Sequence, residues 1–124
     1  MREAVIVSTA RTPIGKAYRG AFNATPSPSL AGHAIAHAVS RAGIEGAEVD
    51  DVIMGAALQQ GVQAPNIGRL AALGAGLPVT VAGQSVDRQC ASGLMAISMA
   101  AKQVMVDNMA VSYTHLTLPT MDSV

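Results

Sequence analysis

Short unbroken apolar runs alternate along this chain with longer segments of helical spacing, and that alternation limits the possible folds more than any other feature. Ala4-Val5-Ile6-Val7 lies between the charged opening Arg2-Glu3 and Ser8-Thr9. A run of this kind predicts a strand covered on both faces. Arg11 to Thr25 carries Pro13, Gly15, Gly20 and Asn23 and reads as an irregular loop. Ser29 then offers an N-cap to a helix in which Leu30, Ala31, Ala34, Ile35, Ala38, Val39 and Ala42 recur at helical spacing. Arg41 falls in its last turn and Gly43 just past its end. Asp50-Asp51 precede a second apolar run, Val52 to Leu58, in which Gly55 marks a close backbone approach. Strand, loop, helix, strand predicts a right-handed parallel unit and an α/β protein.

The remainder continues the pattern. Asn66 is placed to cap a helix bearing Ile67, Leu70, Ala71, Leu73 and Ala75, which ends at Gly76 before Pro78. Val79 to Val86 reads as extended. From Ser92 onward Leu94, Met95, Ile97, Met99, Ala101, Val104, Met105 and Val106 surround most of a helix, and only Ser98 and Lys102 leave a polar stripe. A helix apolar nearly all round is expected to be buried.

Composition narrows the function classes. Half of the 124 residues are apolar, yet the only aromatics are Tyr18, Phe22 and Tyr113, so the core must be built from Ala, Val, Ile, Leu and Met. Such side chains, with 12 glycines, suit close packing of helices on a sheet. Eight basic and eight acidic residues cancel, with no cluster of either sign. Nucleic acid and anionic membrane surfaces are not expected partners. A single cysteine permits no internal disulfide, and no apolar run approaches the length of a signal core or a membrane span. A cytoplasmic location is the expectation.

That cysteine, Cys90, falls where the extended run Val79 to Val86 turns into the last helix. The first turn of a helix presents backbone N–H groups without intrahelical partners and the positive end of the macrodipole. A sulfur placed there is favoured as the thiolate, and the same N–H groups can hold an oxyanion that develops when it attacks a carbonyl. The alternative is a small inert core residue, the commonest fate of free cysteine.

The wording around Cys90 favours chemistry. Val86 to Ile97, VDRQCASGLMAI, resembles the acylation motif of the thiolases, the acetyl-CoA acetyltransferases and 3-ketoacyl-CoA thiolases. Ala4 to Lys16, with its Arg-Thr-Pro-Ile-Gly turn, is similar to the opening strand and turn of that family. Gly61 to Arg69 is similar to a loop and helix start that lies near the thiolase dimer contact. The three segments occur in family order across residues 1–111. The resemblance implies the N-terminal part of the thiolase fold, a mixed, mainly parallel sheet with helices on both faces, and it implies Cys90 as the acyl-accepting nucleophile. It further implies coenzyme A thioesters as substrates with no permanently bound cofactor, a role in fatty acid metabolism, and a dimeric or tetrameric homo-oligomer.

Other candidates are weaker. His33 and His37, four apart on the first helix, could share a face, but no acidic or cysteine ligand accompanies them, so no metal site is expected. Arg88 is expected to pair with Asp87 or another carboxylate, the rival role being to hold a thiolate or a substrate phosphate. Arg11 and Lys16 carry no clear assignment, and the coenzyme A-binding residues are not identified. The thiolase pattern also includes a Gly-His-Pro motif, an Asn-Gly-Gly motif and a Cys-x-Gly-Gly motif, none of which occurs here. His115, between Thr114 and Leu116, does not match. A chain lacking the base and the second cysteine is expected to be inactive in the complete reaction. Residues 112–124 depart from the family pattern and read like the translation of a sequencing-library adapter, which marks a truncated gene model; a divergent strand is the rival reading. Two other functions stay open: a non-catalytic fragment with a structural or partner-binding role, and a related condensing enzyme of the ketoacyl-synthase type, against which the Arg-Thr-Pro-Ile-Gly turn argues.

Overall fold

A single strand, β1 (Asp51–Gly55), organises the molecule: every residue in it is buried, and its two faces belong to different clusters of side chains. The computed structural model describes residues 1–116, with the side chains of 113–116 left aside. The expectation for the tail beyond Leu116 lies outside the described residues. β1 is flanked by β2 (Ala82–Val86) and β3 (Ser112–Leu116), both parallel to it, in the order β2-β1-β3. Asp51 stands opposite Ala82 and Ser112, and Gly55 opposite Val86 and Leu116.

Val52 and Met54 point toward helices α1 (Ser27–Ala42) and α2 (Ile67–Gly74), while Ile53 between them points toward α3 (Ser92–Met105). Side chains alternate across a strand, so one apolar run feeds two layers. This is the α/β architecture the alternation predicts, with a parallel sheet and helices on both faces.

Local chemistry explains most boundaries. α1 begins two residues before the expected Ser29 cap, with Pro26 at the N-cap and Pro28 in the first turn. Proline suits that turn because the N–H it lacks would have no intrahelical acceptor. At the far end Gly43 adopts φ 70° and its N–H reaches the Ser40 carbonyl at 3.1 Å. Asn66 caps α2 as expected, accepting from the Arg69 amide at 3.3 Å. α2 stops at Gly74, and Gly76, at φ 80°, closes it: its N–H reaches Leu73 and the Leu77 N–H reaches Ala72.

Three expectations fail. Ala4–Val7 forms no strand, and Val5, Ile6 and Val7 are 74%, 76% and 72% exposed. Both edges of β1 are already occupied by β2 and β3, so the run cannot pair with the buried central strand. Among the described residues the segment is held at points, by Arg2 donating to the Met109 carbonyl and Arg41 to that of Thr9. The second apolar run keeps strand form only to Gly55, and Leu58 lies exposed at φ 58°. Finally, α3 is not buried all round: Ser92, Gly93, Ala96 and Ala100 face inward, whereas Leu94 is 71% exposed. The described residues cover only one of its faces.

Candidate active site

The turn between β2 and α3 is assembled from backbone locks. Asp87 Oδ1 accepts the Gln89 amide at 2.9 Å, the Ala91 amide donates to the Arg88 carbonyl at 3.0 Å, and the Ser92 amide donates to the Gln89 carbonyl at 3.1 Å. Ser92 adds its side chain, which donates to the Gln89 carbonyl at 2.6 Å and accepts from the Arg88 amide at 2.8 Å. Gln89 sits at φ 50°, in the left-handed region.

Cys90 stands within this turn, exposed, two residues ahead of the first residue of α3. The first bond into the helix runs from the Met95 amide to the Ala91 carbonyl at 2.9 Å. Among the described residues the Gly93 and Leu94 amides donate to no acceptor, leaving free N–H groups at the helix start beside the cysteine.

Gly55 sets the depth of that helix start. A Cβ on Gly55 would lie 2.5 Å from the carbonyl carbon and oxygen of Ser92 and 2.6 Å from the Gly93 nitrogen. The close approach expected at Gly55 is therefore against the turn that carries Cys90. On the other side of β2, the start of α2 is equally tight: a Cβ on Gly68 would collide with the Gln84 carbonyl oxygen. Asn66 Nδ2 donates to the Gly83 carbonyl at 2.9 Å, and Ser85 Oγ donates to Asn66 Oδ1 at 2.7 Å while accepting from the Gly68 amide at 2.9 Å. β2 is thus pinned to α2 immediately before it delivers the turn.

Of the other candidates, none joins Cys90. Arg88 makes no ion pair with Asp87; its guanidinium lies 3.1 Å from the Met95 sulfur, and the Asp87 carboxylate is spent on the turn. Arg11 is exposed and, with Thr12, Pro13 and Ile14, lines an open surface hollow; Lys16 is exposed in the same loop. The His33 and His37 rings are exposed, with centroids 4.4 Å apart, and no third His, Cys, Asp or Glu joins them among the described residues.

Two features escaped the sequence reading. The left-handed turn falls on Gln89, a residue type that gives no warning of it; Gly, Asn or Asp would have done so. At the opposite end of β1, buried Asp51 accepts from Gln84 at 2.6 Å and Gln103 at 2.8 Å through Oδ2, and Gln103 accepts from Ser112 at 2.8 Å. Its Oδ1 is buried without a partner among the described residues. This network ties the three strands to the second half of α3, away from the cysteine.

Residues 4–113 match the family model described as thiolase, N-terminal domain. The chain belongs to the thiolase family. It is 45% identical over 106 residues to a mitochondrial acetyl-CoA acetyltransferase of Xenopus tropicalis, covering 85% of this chain and 24% of that protein. Against a 3-ketoacyl-CoA thiolase of Bacillus subtilis the figures are 41% over 106 residues, 86% and 27%. Against a cytosolic acetyl-CoA acetyltransferase of Gibberella zeae they are 47% over 102 residues, 82% and 25%. The chain spans about a quarter of the length of these thiolases.

Proposed function

We propose that this thiolase-family chain takes an acyl group from a coenzyme A thioester onto Cys90, the acyl-transfer half of an acetyl-CoA acetyltransferase or 3-ketoacyl-CoA thiolase reaction. The observation that carries the reading is the placement of its one cysteine, exposed in a locked turn next to the unpaired amides that open α3.

The step balances without any further reagent. The Cys90 thiolate attacks the thioester carbonyl carbon, and a new S–C bond forms as the C–S bond to coenzyme A breaks. The departing coenzyme A thiolate takes a proton from solvent. While the carbon is tetrahedral its oxygen carries negative charge, which N–H groups at the start of α3 are suited to receive. Because these donors are fixed by backbone, they need no reorganisation as charge develops.

Carbon–carbon bond formation asks for more. A base must remove a proton from the α-carbon of a second thioester, and the resulting enolate oxygen needs its own donors. The family motifs that supply the base and the second cysteine have no match in this sequence. The 124-residue chain is therefore proposed to acylate once and stop.

A single-turnover assay tests this. Mixing the chain with acetyl-CoA should release coenzyme A up to one equivalent of protein and then halt, and Cys90→Ser should release none. Continuous conversion of acetoacetyl-CoA and coenzyme A by this chain would contradict the proposed stop. Absence of any release from the folded chain would contradict the acylation itself.

A further inference from the structure

One buried hydroxyl ties together the turn from which Cys90 projects. Ser92 is 2% exposed, and its Oγ bonds both the Arg88 amide and the Gln89 carbonyl, so it grips the backbone immediately before the cysteine. The conformation it closes is one that the local sequence disfavours. Gln89 has φ 50°, and a residue with a Cβ and a long side chain gains nothing locally from the left-handed region. Something outside the residue must hold it there. Asp87 does so from the exposed side, through the Gln89 amide, and Ser92 from the buried side. Ser92 cannot recede, because its own carbonyl is packed against the Cα of Gly55.

We propose that Ser92 is a positioning residue for Cys90: by holding Gln89 left-handed it fixes where the sulfur stands relative to the free Gly93 and Leu94 amides. The inference rests on the reading of Cys90 as an acyl acceptor and adds to it that the nucleophile is made competent by a backbone turn rather than by a neighbouring cation. Arg88, the adjacent cation, turns its guanidinium to the Met95 sulfur, 3.1 Å away.

The test uses the full 124-residue chain and iodoacetamide. For each variant the alkylation rate of folded protein near neutral pH is divided by the rate in concentrated urea, which removes intrinsic differences. The wild-type ratio is expected to exceed one. Ser92→Ala should lower it roughly ten- to a hundredfold, the scale on which small displacements of a reacting group act. Glycine adopts positive φ freely, so adding Gln89→Gly to Ser92→Ala should restore most of the ratio. A merely structural serine would not be rescued in this way. Should Ser92→Ala fail to fold by circular dichroism, Gln89→Gly alone and with Ser92→Ala decide, and the two should agree within roughly threefold. The proposal is overturned if the wild-type ratio is one or less, if folded Ser92→Ala keeps the wild-type ratio, or if Gln89→Gly brings no rescue. If the alkylation pattern holds but acetyl-CoA acylates no variant, the acyl-transfer reading falls and the positioning role stands.

Discussion

The two faces of β1 are unequally furnished. Toward α1 and α2, Val52 and Met54 join a cluster that includes Ile35, Ile67, Ala71, Leu77 and Val81; toward α3, among the described residues, buried Ile53 joins Ala96 and Ala100, with Val86 and Met99 partly buried beside them. The first face is a packed core. Among the described residues the second is thin, and the turn that carries Cys90 meets β1 at Gly55. Large aliphatic groups that interdigitate exclude water from the first layer, whereas alanines on α3 let the helix lie close to the strand with little area to bury. Here fold stability and the candidate chemistry draw on different sides of one strand.

A pair of adjacent truncations separates the two faces most strongly. Met54→Ala should approach the upper part of the about 2–5 kcal/mol expected for such changes, and Ile53→Ala should stay near the lower part, because the thin side can close over the gap. Equal losses in urea denaturation would show the faces to be energetically alike. Gly55→Ala comes next. Its new Cβ has no room against Ser92, so a loss of about 3 kcal/mol is expected, with slower acylation of Cys90 in whatever remains folded. Unchanged stability and unchanged acylation would mean that β1 does not set the depth of α3. Asn66→Ala, which removes the cap of α2 and its bonds to β2, should lower stability by about 1 kcal/mol in the same titration. Leu94→Gln, on the exposed side of α3, should stay within about 0.5 kcal/mol of wild type; a larger loss would show that this face is covered after all.

Much of this was legible in the sequence because the signals were local. The Gly43 and Gly76 helix ends, the Asn66 cap and the close approach at Gly55 each rest on one residue and its immediate neighbours, and each appears in the structure. What was not legible depends on partners distant in the chain. The run Ala4–Val7 has strand composition, but composition does not name a pairing partner, and both edges of the central strand β1 are taken. Likewise an all-round apolar pattern on α3 states which surfaces tolerate burial, not which of them these residues cover. At the candidate site, the position of Cys90 followed from the motif, while the turn that holds it did not. Gln89 carries no left-handed signature, and the reach of Ser92 back to Arg88 becomes visible only in three dimensions.

Cys90 is proposed to accept an acyl group where it stands at the opening of α3. Incubating the folded chain with acetyl-CoA, quenching in acid and mapping peptides by tandem mass spectrometry tests it most directly. One acetyl group is expected, carried as a thioester on Cys90 and removed by hydroxylamine, and none when the chain is first unfolded in urea. An acetyl group found only on lysine or the N-terminal amine, or on Cys90 equally in folded and unfolded chain, would contradict it.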